Sequence, residues 1–105
     1  MWFVFPQVKG LGFSQRAQEF AISSREEAQA YLNHPVLGPR LVECTQIVTQ
    51  IDGLKISEIF AYPDYLKFRS CMTLFSLVKP EIQIFRRALE KYFGGEVDAR
   101  TVSRL

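Results

Sequence analysis

Helix punctuation recurs along this chain at short intervals. Ser24-Arg25-Glu26-Glu27, His34-Pro35, Gly38-Pro39, Asp52-Gly53, Pro63, Pro80 and Gly94-Gly95 each start or stop a helix. The segments between them carry apolar residues at helical rather than alternating spacing. The class this predicts is all-α, a compact, irregular bundle of about five to six short helices.

Ser24 and Glu27 form a capping box, in which the serine oxygen takes an amide of the first turn while the glutamate reaches back. That helix runs to about Asn33 and turns Ala28, Tyr31 and Leu32 inward. His34-Pro35 breaks it, because the residue before a proline is pushed out of the α region. Pro39 suits the first position of the next helix, where its missing N–H costs nothing. From there Leu41, Cys44, Ile47/Val48 and Ile51 recur at helical spacing, and Ser57–Phe60 gives one further turn before Pro63.

The most apolar helix is expected between Asp64 and Leu77. Phe68, Cys71, Met72, Leu74, Phe75 and Val78 share one wide face of it, with Arg69, Thr73 and Ser76 opposite. Pro80 begins a helix striped by Ile82, Phe85, Leu89 and Tyr92 and stopped by Gly94-Gly95. Asp98 is placed to cap a last short helix. Met1-Trp2-Phe3-Val4-Phe5 suits a strand by residue type, yet nothing downstream reads as its partner, and an isolated strand cannot satisfy its backbone. The segment is expected as extended or helical chain packed into the core, followed by a Ser14-capped helix from Gln15 to Phe20.

The 105 residues read as a single domain, 1–105, able to bury a core without a metal or disulfide. With 48% hydrophobic, 23% charged and 13% aromatic residues, the chain is neither disordered nor a disulfide-stapled miniprotein. No apolar run approaches the roughly 20 residues of a membrane span. The opening apolar run lacks a basic lead and a cleavage site, so the expected location is cytoplasmic, with Cys44 and Cys71 as free thiols. Two cysteines and one histidine fall short of a structural zinc site, and neither metal nor cofactor is expected.

The net charge of +2 is uneven, with four Lys/Arg against five Asp/Glu in residues 1–52 and nine against six in 53–105. That asymmetry permits an anionic ligand and does not call for nucleic acid. Arg86, Arg87 and Lys91 read as a solvated face.

Three features carry chemistry. Lys9-Gly10-Leu11-Gly12, with Arg16 beyond, offers charge and glycine amides to a phosphate. The third glycine of a dinucleotide fingerprint is replaced by Gln15, so a tight turn needing positive φ explains the same residues. His34, the one histidine, is a candidate general base or a helix-end side chain satisfying a carbonyl. Lys67 falls on the apolar side of its helix, one turn from Asp64, where an ammonium must be paired, snorkelled or functional. Cys71 lies one turn from Lys67, and a thiolate there would need exposure to react.

In order, Trp2-Phe3-Val4-Phe5-Pro6-Gln7, the Gly10-Leu11-Gly12 turn, Tyr31-Leu32-x-His34-Pro35-x-Leu37-Gly38-x-Arg40-Leu41 and Lys67-x-x-Ser70-x-Met72-Thr73-Leu74-Phe75 resemble the domain of unknown function 1810 family, also called Rv-eighteen-seventy-three-like. The resemblance covers essentially the whole chain and implies a small, mainly bacterial, all-helical protein of no established activity. The family pattern has a serine where this chain has Cys71. Similar proteins also carry a helix and a Ser-His-Trp lead before the Trp-Phe motif, so the chain resembles a shortened member. On that reading Trp2, Phe3 and Phe5 are left uncovered and open to self-association.

Three functions follow as expectations. The first is binding of a small anionic or nucleotide-like ligand by Trp2, Gln7, Lys9, Gly10 and Gly12, with His34 and Lys67 converging. The second is a protein-interaction module or subunit without a small-molecule ligand. The third is an enzyme with His34 or Lys67 as general base.

Overall fold

The computed structural model describes residues 5–7 and 21–105. The expectations at Trp2, Phe3, Lys9, Gly10 and Gly12, and the helix from Gln15 to Phe20, lie outside these residues. Six helices occupy the described part: α1 (Arg25–Asn33), α2 (Leu37–Thr49), α3 (Ile56–Ile59), α4 (Asp64–Val78), α5 (Ile84–Phe93) and α6 (Ala99–Arg104). The all-α expectation holds. None of these helices is long and apolar enough to cross a membrane.

α4 is the axis of the bundle, with α1, α3, α5 and α6 packed around it, while α2 bridges α1 and α5. Its expected apolar face is buried throughout at Phe68, Cys71, Met72, Leu74, Phe75 and Val78. The side expected opposite it is not left open either. Ser70 and Thr73 are buried too, because α6 lies across them. Their hydroxyls donate to the carbonyls of Leu66 (3.1 Å) and Arg69 (2.8 Å), and Thr45 on α2 does the same to Leu41 (2.8 Å). A hydroxyl satisfied within its own helix can be buried at little cost, so side-chain polarity alone misleads at these positions.

The extended reading of the N-terminal segment holds at Phe5–Gln7. Phe5 and Pro6 are buried, and Phe5 meets Phe68 edge-on at 5.0 Å between centroids and Phe60 at 6.0 Å. The Gln7 carbonyl accepts from the Ile22 amide at 2.8 Å. Phe5 therefore contributes nothing to an uncovered aromatic surface.

The local signals place the helix ends with small corrections. Ser24 caps α1 by accepting from the Glu27 amide at 3.1 Å, but the Glu27 carboxylate closes the box on the Ser23 amide and hydroxyl. α2 starts at Leu37, which puts Pro39 third in the helix rather than first, still within the turn whose amides have no intrahelical partner. α5 starts at Ile84, so Pro80 sits in the turn before it. Gly94 closes α5 in the left-handed conformation at φ 62°.

Lys91 leaves the basic strip assigned to it. Its ammonium donates to the carbonyls of Thr49 (2.5 Å) and Ile51 (2.8 Å) and to the Asp52 carboxylate (2.8 Å). Beside it the Tyr92 hydroxyl donates to the Val48 carbonyl at 2.5 Å. Two side chains of α5 thus satisfy carbonyls at the C-terminus of α2, where a cation is also favoured by the helix dipole. The Asp52 carboxyl is held below its ordinary pKa by the Lys91 hydrogen bond and charge, and the ammonium is raised in return.

Candidate functional site

The described members of the expected site fall in two places. Lys67 projects from the first half of α4 with its side chain 38% exposed, its Nζ 3.9 Å from Asp64 Oδ1. That separation exceeds a hydrogen bond, so the pair is loose, and among the described residues no other acceptor takes the ammonium's hydrogens. Gln7 follows Phe5, whose ring lies against Phe68, the residue after Lys67. The packing of Phe5 brings the N-terminal segment to the half of α4 that carries Lys67.

His34 lies elsewhere. Its Nδ1 accepts from the amides of Val36 and Leu37, both at 3.1 Å. The ring thus satisfies amides at the start of α2, not the carbonyl expected from its place at a helix end, and Nδ1 is committed as an acceptor. At the same end of α1, Tyr31 packs on Phe75 with centroids 5.7 Å apart, and Asn33 Oδ1 accepts from Lys79 Nζ at 3.4 Å. His34 is therefore near the C-terminal end of α4. From Lys67 to Lys79 the helix rises about 18 Å at 1.5 Å per residue. His34 and Lys67 do not converge.

The Cys71 thiol is fully buried, and burial pushes its pKa well up, so it stays protonated and packs as a small apolar group. Among the described residues, no group of three His, Cys, Asp or Glu side chains could hold a metal ion.

A buried polar cluster under α6 is legible in the sequence only as a helix cap. Asp98 caps α6 as expected, and its Oδ2 accepts from the Thr101 amide (3.2 Å), the Thr101 hydroxyl (2.6 Å) and the Ser70 hydroxyl (3.0 Å). The Asp98 amide donates to Thr73 Oγ1 at 2.9 Å, and Arg69 Nη2 lies 3.7 Å from Oδ1. Burial alone would raise the carboxyl. The Thr101 and Ser70 hydrogen bonds and the Arg69 charge outweigh it and hold the pKa below the ordinary carboxylate value. Arg69 also lies 5.9 Å from the Phe93 centroid, and its Nε is buried without a hydrogen-bond partner. The helical spacing of Ser70 and Thr73 was the available signal for this seam.

Two shallow clefts are formed by described residues. One of about 530 Å³ lies between α3 and α5, with Leu54, Lys55, Tyr65 and Phe93 among its walls. The other, about 340 Å³, lies between the end of α4 and α5, with Leu77, Pro80 and Leu89 among its walls. Neither includes Gln7, His34 or Lys67.

Fold and site together define a small all-helical protein with a central buried helix, a polar seam under its last helix and a loosely paired lysine on the half of α4 that Phe5 packs against. The chain belongs to the family described as "Protein of unknown function (DUF1810)", matched over residues 1–105. It is similar to the crystal structure of the conserved hypothetical protein Rv1873 from Mycobacterium tuberculosis, with a TM-score of 0.97 and 56% identity over 99% of this chain and 74% of that one. No curated protein matches the chain.

Proposed function

We propose that this cytoplasmic protein binds a small anionic, nucleotide-like ligand on the side of α4 that carries Lys67. The observation that carries this reading is the contrast between two lysines. Lys91 commits its ammonium to three acceptors, whereas among the described residues Lys67 has only a carboxylate 3.9 Å away. Chain geometry adds support. Lys9 follows Phe5 by four positions, a span of at most about 14 Å even in fully extended chain. Phe5 is fixed against Phe68, and the chain from it to Lys9 is short enough to reach the Lys67 half of α4. In this reading Lys67 and Lys9 supply charge, Gly10 and Gly12 supply amides, and Gln7 and Trp2 give orienting and stacking contacts. His34 is not part of the site. With the histidine committed to amides and Cys71 buried, the arrangement favours binding over turnover.

Melting curves with nucleotides, phosphosugars and ADP-ribose test the reading. A ligand at about 100 times its Kd adds about 2.7 kcal/mol of stability, a shift of several degrees. Lys67→Met is expected to weaken that shift at least tenfold in ligand concentration while leaving the unliganded melt within a degree or two, since a loose surface pair contributes about 0–1 kcal/mol. Equal stabilisation of both proteins would remove Lys67 from the site. No response to any of these ligands, together with concentration-dependent association, would favour the interaction-module alternative.

A further inference from the structure

We infer that α6 is a latch that opens as a unit, independently of the rest of the bundle. α6 packs chiefly on α4 and contributes little apolar burial. Thr101 is its one fully buried side chain, Val102 is 44% exposed, and Leu105 beyond it is only partly covered. By contrast α5 buries Phe85, Ala88 and Leu89.

What holds α6 is the interlocked set around Asp98. The Asp98 amide is bonded to Thr73, its carboxylate to Ser70, and the same carboxylate to both the amide and the hydroxyl of Thr101. Each group positions the next, so the set breaks together. Opening returns polar groups to water, which costs far less than exposing an apolar interface of similar size. Regions with few buried apolar contacts open at lower free energy than the core.

The uncovered strip of α4 presents the Arg69 guanidinium and the Ser70 and Thr73 hydroxyls. Ser70 is three residues, about one turn, from Lys67, so release of α6 exposes new donors beside that lysine. The latch itself holds whether or not Lys67 binds a ligand.

Native-state hydrogen exchange on the full chain tests it. In the wild type the Asp98 and Thr101 amides are expected to exchange through one shared opening, at least about 100-fold more populated than the opening that exposes Phe68, Leu74 and Phe85. Low urea is expected to speed core exchange steeply and α6 exchange hardly at all, because the latch exposes little surface. Leu89→Ala is expected to raise core exchange by about 30-fold or more and leave the α6 amides within about twofold. Equal protection of α6 and core, with the same urea dependence, would overturn the proposal even if Leu89→Ala did not fold. So would a common response of both to that substitution.

Discussion

Gly38→Ala is expected to lower stability by about 3 kcal/mol or more, a fall of about 15 °C in melting temperature, or to prevent folding. Gly38 is buried at the second position of α2, where the chain has just turned back on α1. A Cβ built there falls 1.9 Å from the Leu32 carbonyl oxygen and 2.7 Å from its carbon. The obstacle is backbone inside α1, not a side chain able to swing aside. Leu32 cannot retreat without moving Ala28, Tyr31 and the other α1 residues that meet the core. The turn is fixed from the other side as well, since the Gly38 amide donates to the His34 carbonyl at 3.1 Å while the His34 ring holds the Val36 and Leu37 amides. His34, Leu37 and Gly38 in the quoted motif thus serve one tight αα-corner. Urea denaturation of the variant against wild type measures the loss, and one below about 1 kcal/mol would mean that the corner yields more readily than its geometry implies.

Asp98→Ala is the second large effect. It removes the acceptor of three hydrogen bonds and the charge partner of Arg69, leaving buried donors unsatisfied, and is expected to cost about 2–3 kcal/mol. If α6 opens independently, this loss cannot exceed the free energy that docks it, so the rest of the bundle is expected to persist and melt cooperatively. The same carboxyl sets a pH dependence. Its folded pKa lies below the ordinary carboxylate value of about 3.9. The stability it contributes is therefore fully present above that value and is lost as pH falls through the folded pKa. Between neutral pH and strongly acid solution, wild type is expected to lose more stability than Asp98→Asn, and melts at matched ionic strength resolve the difference. Parallel pH profiles for the two proteins would contradict the assignment.

Much of this fold was legible in the sequence because its signals act over one or two helical turns. Ser24 and Asp98 as N-caps, Gly94 as a stop and the apolar face of α4 are local features with local causes. The failures share the opposite cause. Thr73 faces inward because Asp98, 25 residues further on, brings α6 over it, and no pattern on α4 alone announces that cover. Lys91 turns from solvent because the carbonyls it satisfies belong to the end of α2 and the turn after it, some 40 residues earlier. His34 was recognised as a helix-end residue, but the partner of its ring depended on how tightly the corner at Gly38 folds. For the candidate site, periodicity picked out Lys67 and Asp64, while His34 was joined to them on residue type without information on position along α4.

The most direct measurement of the central claim is a ligand titration followed through backbone amide chemical shifts, using whichever nucleotide, phosphosugar or ADP-ribose stabilises the protein most. Saturable shifts are expected centred on residues 5–12 and 64–68, with the amides of Val36 and Leu37 unmoved. Shifts centred on the His34 corner or on the α3–α5 cleft, with residues 64–68 silent, would contradict it.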